Sequence, residues 1–356
     1  MKKTNVLAFC FKTIPSAIMG IIKPLQLLQK QQLLNFVYKE SRHVSNEDIS
    51  IADVIICIRG AEQLDVDKIT LGKNKGKYLI YFLDDDLLNI GGLSRSYNKA
   101  YFERKDIKNN IKSIMDICHC LWTTNKNIAE NYRLSFEKVS VTNAPALLLK
   151  YDKPDIMGHD NLNETITIGF AGGTDHKTYF NQMMYRPFQS IINKYGRKIK
   201  FEIIGFKNYS MRNIPITVFP YRENYEQYVS FLLSRKWDIA VAPLNNTEFH
   251  SCKYFNKFLE YSSIGATGIY SNVEPFTYIV KNGENGLLVD NNTIEWTNGL
   301  MYLIDNKEKR LDISSNAYEF VKNNFDINKV AAEICSSIPH LVNYENIRIN
   351  GDGDKK

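Results

Sequence analysis

The sequence contains no run of about 18 consecutive apolar residues, the length that marks a candidate membrane-spanning helix, so no such helix is predicted. The short apolar run after Met1–Asn5 is typical of a strand, and the N-terminus therefore lacks the pattern of a secretory signal peptide. These two absences together predict a cytoplasmic protein.

The sequence also has little that indicates metal, disulfide or nucleic-acid chemistry. Its six cysteines form no C-x-x-C pair, and Cys118-His119-Cys120 has no second ligand pair nearby, so reduced, structural thiols are predicted. The 45 basic and 39 acidic residues give a net charge of +6, without a dense basic run or a recognised nucleic-acid motif. This mild positive charge fits an anionic substrate or an anionic membrane surface.

The composition and the apolar runs predict a two-domain α/β protein. A chain of 356 residues with 44% hydrophobic content is longer than a single hydrophobic core usually supports, so two domains of about 150 residues are predicted. Apolar runs at residues 5–11, 51–58 and 78–83 predict strands, and a helix is predicted around residues 24–37. Strands of this kind alternating with helices are typical of a parallel sheet covered on both faces. The polar residues 151–164 predict a linker, after which a second such sheet begins.

The stretch from Thr247 to Ser271 gives the strongest indication of a binding site. A helix beginning at Cys252, behind Ser251 as its N-cap, would align four polar residues in one arc: Lys253, Asn256, Lys257 and Glu260. Two ammonium groups near the N-terminal amides suit a diphosphate, and a carboxylate two turns further on suits a diol such as ribose. The alternative is an ordinary amphipathic helix with a solvated face, on which Lys257 and Glu260 form a weak pair.

Two other polar stretches directly follow predicted strands. Asp84, Asp85 and Asp86 follow the third strand, at the edge of a parallel sheet where ligand crevices form. The alternative is an N-capping cluster for a helix that starts at Leu87. Gly172-Gly173-Thr174 follow the first strand of the second sheet, and paired glycines let the backbone approach a phosphate closely.

Several of these segments resemble one family. F-L-E-Y-S-S-I-G-A-T-G-I-Y-S, followed by N-V-E-P-F and V-K-N-G-E-N-G-L-L-V, resembles the donor-binding segment of GT-B glycosyltransferases of the family 4 (group 1) type, especially branches that build bacterial surface polysaccharides. In that family the equivalent of Glu260 holds the donor ribose. Many members carry a Glu-x7-Glu motif, and Cys252 stands where the first acid would be. The role of that acid near the transferred sugar is therefore not carried over.

Two further stretches resemble the same branch. Y-F-L-D-D-D-L is similar to a stretch of the N-terminal domain that faces the interdomain cleft, and I-G-F-A-G-G-T-D-H is similar to the opening of the C-terminal domain. Tyr179 stands where the family has an acid three residues after the histidine, which leaves the role of His176 open. The resemblance also places the loop near Tyr221 beside the nucleotide base, although chance placement is common among 40 Phe and Tyr residues.

The resemblance implies an α/β fold of GT-B type, in which two Rossmann-like domains face each other across a cleft. The expected parts are an acceptor domain (residues 1–160), a donor domain (161–326), and a last segment (327–356) whose helix returns to the N-terminal domain and whose residues 351–356 are disordered. The expected activity is hexosyl or deoxyhexosyl transfer from a UDP, GDP or dTDP sugar to a glycan or lipid-linked acceptor, without a metal, at the inner face of the cell membrane.

The residue patterns and the family resemblance together predict the site residues. The predicted catalytic residues are Asp84, Asp85, Lys253 and Lys257, with the two lysines neutralising the leaving diphosphate. The predicted nucleotide-binding residues are Gly172, Gly173, Thr174, His176, Tyr221, Lys253, Lys257 and Glu260. Two alternatives remain at this point. One is a metal-dependent GT-A transferase that holds Mg²⁺ or Mn²⁺ on Asp84–Asp86, and the other is a nucleotide-sugar-binding or regulatory protein that has lost catalysis.

Overall fold

The computed structural model of the protein describes residues 2–90, 97–150, 165–207 and 211–342. The predicted linker at 151–164 and the C-terminal residues 351–356 lie outside the described residues. Within the described ranges, no helix is long and apolar enough to cross a bilayer.

The described strands form two separate parallel sheets of six strands each. The N-terminal sheet has the order β2-β1-β3-β4-β5-β6 and contains β1 (Thr4–Cys10), β2 (Leu34–Glu40), β3 (Val54–Ile58), β4 (Tyr78–Leu83), β5 (Cys120–Thr123) and β6 (Lys138–Val141). The C-terminal sheet has the order β12-β11-β10-β7-β8-β9 and contains β7 (Ile166–Ala171), β8 (Ile199–Gly205), β9 (Ile216–Pro220), β10 (Ile239–Ala242), β11 (Thr267–Ser271) and β12 (Leu287–Val289).

Helices connect the strands in both halves. The helices among residues 2–150 are α1 (Pro15–Ala17), which continues through a π-helical turn into α2 (Lys23–Lys30), then α3 (Asn46–Ile51), α4 (Gln63–Asn74), α5 (Tyr97–Phe102), α6 (Lys105–Ile117) and α7 (Lys126–Tyr132). Those that follow are α8 (Lys177–Tyr195), α9 (Tyr225–Leu233), α10 (Glu248–Ser251), α11 (Asn256–Ser263), α12 (Thr293–Asp305), α13 (Lys307–Asn324) and α14 (Ile327–Ser337).

The N-terminal sheet is covered on both faces, as its apolar strands predict. Successive residues of a strand point to opposite faces, and in β1 Leu7 and Phe9 enter a core with α3, α4 and α6, whereas Val6 and Ala8 enter another with α2. The second core also contains Val330, Ala331, Ile334 and Cys335 of α14. The last helix therefore returns to the N-terminal sheet, which confirms that part of the predicted fold.

The helix predicted around residues 24–37 is wrong in its second half. Helix α2 ends at Lys30, and Gln32 adopts a left-handed φ of 64°, which a continuing helix does not allow. The chain then forms β2, an edge strand in which Leu34 and Phe36 are buried while Asn35 and Val37 are exposed. That alternation has the period of a strand. Similarly, Ile51 belongs to α3, and the strand predicted at 51–58 begins only at Val54.

The helix predicted to begin at Cys252 is also wrong at its start. Thr247 caps the short helix α10, Ser251 is its last residue, and α11 begins at Asn256. The break has a tertiary cause, because Phe249 and Cys252 are buried in the core of the N-terminal sheet although they follow a strand of the C-terminal sheet. We call residues 247–254 the docking segment.

Candidate functional site

The carboxyl ends of strands from both sheets border a cleft that contains two adjoining cavities. Cavity A has a volume of about 260 Å³ and cavity B a volume of about 570 Å³, and both are lined by residues of both halves. Cavity B lies within the range of about 300–1,000 Å³ that is typical of small-molecule sites, and cavity A lies slightly below that range. Four residues line both cavities and mark their boundary: Asp85, Gly173, His176 and Lys253.

Cavity A collects almost all of the residues that the sequence predicts for the site. Its lining includes Asp84, Asp85, Gly172, Gly173, His176, Tyr221, Lys253, Lys257 and Glu260. Thr174 is the exception, because it is exposed in a 3-10 turn that precedes α8 and lines neither cavity. Tyr221 is 55% exposed, so its ring is available for a planar ligand at the rim.

One wall of cavity A carries the polar residues of α11. Lys257 Nζ lies 2.7 Å from Glu260 Oε2, so the i, i+3 pair that the sequence allows is present. It does not lie on a solvated face, however, because Glu260 is 8% exposed and both residues line the cavity. Burial and the neighbouring Glu260 raise the pKa of Tyr228, a further residue of the same wall.

Lys253 reaches the site from the docking segment rather than from a helix. Its Nζ lies 3.2 Å from Asp85 Oδ1 and 4.6 Å from the centre of the Phe249 ring. The side-chain amide of Asn125, the N-cap of α7, donates to the backbone oxygens of Ser251 at 2.9 Å and Lys253 at 2.8 Å. The N-terminal half therefore fixes the backbone that carries Lys253.

The three aspartates that follow β4 have different surroundings. Asp84 and Asp85 line the cleft, whereas Asp86 is 1% exposed and accepts hydrogen bonds from Tyr132, Asn89 and Asn131. Residues 87 and 88 form a turn and no helix begins at Leu87, so the alternative in which the cluster caps a helix starting there is wrong. Asp86 is a structural residue.

Arg59 connects the two cleft aspartates and was not singled out from the sequence. Its Nε lies 3.6 Å from Asp84 Oδ1, and its Nη2 lies 3.2 Å from Asp85 Oδ2. It has a φ of 48°, and strained backbone of this kind at a non-glycine residue is frequent at functional sites. The available signal was its place at the carboxyl end of β3, next to β4 in the sheet.

Burial and the neighbouring charges shift the pKa values of Asp84 and Asp85 in opposite directions. Burial raises the pKa of Asp84 in spite of Arg59. Burial acts in the same direction on Asp85, but Lys253 and Arg59 outweigh it and lower the pKa of Asp85 below its usual range. Neighbouring carboxyl groups with diverging pKa values are a common feature of acid–base sites.

Two histidines beside the cleft are uncharged at neutral pH. Burial and the positive charges of Lys253 and Lys257 lower the pKa of His176 well below its usual value. Its Nδ1 shares a hydrogen bond with the hydroxyl of Tyr179, the residue that replaces the expected acid. Burial and Lys253 lower the pKa of His250 to about 4. His176 can therefore offer a neutral nitrogen to a ligand in either cavity.

The glycine turn after β7 allows a close backbone approach. The amide of Gly172 donates to Ile204 O at 2.9 Å, and a Cβ on Gly205 would lie 1.8 Å from Gly172 O. A Cβ on Gly173 would meet open space. Gly172 is thus fixed between two strands, while Gly173 presents unobstructed backbone to both cavities.

Cys252 occupies the position of the missing acid but takes no part in either lining. It is 1% exposed, and its Sγ lies 4.0 Å from Asp86 Oδ2 and 3.7 Å from Asn131 Nδ2. Its side chain connects the docking segment to the N-terminal half. Among the described residues, no group of three or more His, Cys, Asp and Glu side chains is arranged to hold a metal ion.

The architecture is similar to that of several solved structures. No protein-family model and no curated protein sequence matches the chain. Among solved structures, HepE from Anabaena in complex with UDP and glucose is similar with a TM-score of 0.64 and 12% identity, over 94% of this chain and 99% of that one. Sucrose-phosphate synthase from Thermosynechococcus elongatus gives a TM-score of 0.66 and 10% identity, over 98% and 100%.

A third similar structure has a name that indicates an epimerase rather than a synthase. A protein from Listeria monocytogenes, assigned by its name as a UDP-N-acetylglucosamine 2-epimerase, gives a TM-score of 0.59 and 15% identity over 97% of this chain and 98% of that one. At such identities the comparisons establish the fold alone. The chain has the α/β fold called GT-B, as the family resemblance implies.

Proposed function

We propose that this protein is a glycosyltransferase that moves a sugar from a nucleoside-diphosphate sugar to a hydroxyl group of a second substrate. The observation that carries the proposal is the meeting of two cavities at Asp85, Gly173, His176 and Lys253. A transferase needs two substrates side by side, with charged groups where they meet.

Cavity A is the proposed donor site. Lys253, Lys257 and the backbone at Gly173 supply cations and an amide donor for a diphosphate, and negative charge grows on that diphosphate as it leaves. Glu260 is proposed to accept the ribose hydroxyl groups, and Tyr221 to contact the base. UDP is the first nucleotide to test, because HepE was crystallised with it.

Cavity B is the proposed acceptor site. Phe11, Tyr101, Phe102 and Phe249 supply apolar rings against which the carbon face of a sugar can pack, and Glu62 can accept hydroxyl hydrogens. In the proposed reaction the bond between the anomeric carbon and the phosphate oxygen breaks, and its electron pair stays on the phosphate. The acceptor oxygen bonds to the anomeric carbon, and its proton passes to a carboxylate at the boundary.

The finer parts of the proposal concern the setting. We propose the domain boundaries at residues 160 and 326, a role in assembling a bacterial surface polysaccharide, and a loose association with the cytoplasmic face of the membrane. Residues 1–150 contain 22 basic and 15 acidic residues, whereas residues 151–356 contain 23 and 24, so the excess positive charge belongs to the N-terminal half. A basic surface is attracted to anionic lipids and is released by salt. Pelleting with anionic vesicles at low ionic strength, and release as salt is added, tests this part.

The GT-A alternative is not favoured, because the chain has the GT-B fold and Asp86 is occupied by structural hydrogen bonds. The alternative of a binding protein without catalysis is tested together with the proposal. Thermal-shift measurements with UDP, GDP, dTDP and CMP come first, and a ligand at a hundredfold excess over its Kd stabilises the fold by about 2.7 kcal/mol. The absence of a shift with all four nucleotides would remove the donor site.

The second experiment follows the fate of the sugar. UDP-sugars that bind are incubated with a panel of glycan and lipid-linked acceptors, and both UDP release and the glycoside product are measured. A glycoside confirms transfer. An acceptor-independent change of the UDP-sugar into its epimer would indicate epimerase chemistry, and binding without any conversion would favour the non-catalytic alternative.

A further inference from the structure

The boundary between the cavities contains one cation that can serve two anions. Lys253 Nζ lies 3.2 Å from Asp85 Oδ1, and Lys253 lines both cavities with 24% of its side chain exposed. Its backbone is held by Asn125, but four methylene groups separate that anchor from the ammonium group. The charge can therefore swing between Asp85 and a diphosphate in cavity A without any movement of the backbone.

We propose that Lys253 is shared between Asp85 and the donor diphosphate, so that departure of the diphosphate releases Asp85 to take the proton of the acceptor hydroxyl. This inference rests on the proposed function and deepens it. The anomeric carbon–oxygen bond breaks, the diphosphate gains the electron pair and draws Lys253 toward itself, and the acceptor oxygen bonds to the anomeric carbon. The hydroxyl proton ends on Asp85, so charge and atoms balance.

The groups around Asp85 make its dependence on Lys253 strong. The residues that face it are Arg59, Asp84, His176, His250, Cys252 and Lys253. Both histidines are neutral at pH 7, because their pKa values are lowered, and Arg59 divides its guanidinium between two aspartates. When Lys253 moves away, Asp85 keeps its contact with Arg59, which Asp84 also contacts. The pKa of Asp85 then rises toward that of a useful base.

A double-mutant cycle on UDP affinity tests the sharing without an acceptor. UDP resembles the departing product, so in the native protein its binding has to break the Lys253–Asp85 pair. We expect Asp85→Asn to tighten UDP binding by about two- to fivefold, the worth of a partly exposed ion pair, and Lys253→Met to weaken it roughly tenfold. In the Lys253→Met background, Asp85→Asn should give no tightening. Equal tightening in both backgrounds would show simple repulsion between Asp85 and UDP and would overturn the inference.

Proton uptake gives a second, independent measurement. We expect UDP binding near pH 5, measured calorimetrically in two buffers of different ionisation enthalpy, to take up more protons in the native protein than in Asp85→Asn. Asp305→Asn is the control, since it removes a similar lysine partner at 3.3 Å on the surface and lines neither cavity. Equal uptake in native protein and Asp85→Asn would overturn the inference and leave the proposed donor site intact. A native protein that binds no nucleotide would overturn both.

Discussion

Glu260→Gln is the change that best separates a binding role from a structural one. Glu260 is 8% exposed, lines cavity A and pairs with Lys257 at 2.7 Å. Glutamine keeps the shape but removes the negative charge. A carboxylate that accepts ribose hydroxyl hydrogens makes hydrogen bonds worth about 1.5 to 3 kcal/mol each in such a setting. Nucleotide affinity should therefore fall by about tenfold to a few hundredfold.

The stability of the unliganded protein should change much less. Lys257 is 20% exposed at the cavity wall, so its ammonium group can turn to water once the partner charge is gone. A cost of about 1 kcal/mol or less is expected, as for other partly exposed pairs. The assay is calorimetric titration of both proteins with UDP, GDP and dTDP, together with urea unfolding without ligand.

The chain offers a matched control for this experiment. Lys281 and Glu284 form another i, i+3 pair, 3.8 Å apart, but their side chains are 69% and 70% exposed and line neither cavity. Glu284→Gln should change neither affinity nor stability by a measurable amount. Equal nucleotide affinities for native protein and Glu260→Gln would refute the assignment of the ribose site.

Three further predictions follow from the same geometry. The free energy of unfolding should fall by about 3 kcal/mol as the pH falls from about 6.5 to 4, because His250 becomes protonated in the unfolded chain over this range but, with a pKa of about 4, stays neutral in the folded protein. A free energy of unfolding that is flat over this range would contradict the prediction. Asp86→Asn should lower the free energy of unfolding by about 1 to 3 kcal/mol, whereas Asp85→Asn should fold normally and lower turnover by about 10²- to 10⁴-fold. The reverse pattern would show that Asp86 is the catalytic residue and Asp85 the structural one. Gly205→Ala places a Cβ 1.8 Å from a backbone oxygen at a φ of 122°, so it should weaken both stability and nucleotide binding, while Gly196→Ala, at a φ of 56° with open space around it, should affect stability alone.

The α/β class with two parallel sheets could be predicted from the sequence because many of the strands are continuous apolar runs. Every residue of β3 is buried, and so is every residue of β4 except Tyr78, so their apolar pattern is hard to mistake. The edge strand β2 was missed, since its alternating apolar residues also fit part of a helical repeat. The start of α11 was misplaced because the burial of Cys252 in the other half of the molecule leaves no local signal.

Most of the residues that the sequence predicts for the site line cavity A, but the pairings between them were not predicted. Asp85 and Lys253 are separated by 168 positions, and no local pattern shows that one neutralises the other. Arg59 was missed because its two partners follow the next strand, although its place at the carboxyl end of β3 was an available signal. The structural role of Asp86 depends on Tyr132 and Asn131, which the chain brings in from α7. Residue types follow from sequence, whereas their partners depend on how the two halves meet.

The docking segment determines how the cleft can open. Its Phe249 and Cys252 are buried in the N-terminal core, and pulling both into water would cost several kcal/mol. Opening should therefore leave the segment on the N-terminal half and bend the chain on both sides of it, between β10 and Thr247 and again at Phe255, just before α11. Lys253 would stay behind while Lys257 moves away with α11, so the distance between the two ammonium groups grows as the cleft opens. A diphosphate bound by both lysines would therefore hold the cleft closed. In single-molecule measurements, the distance between labels on α6 and α12 should shorten when UDP is added.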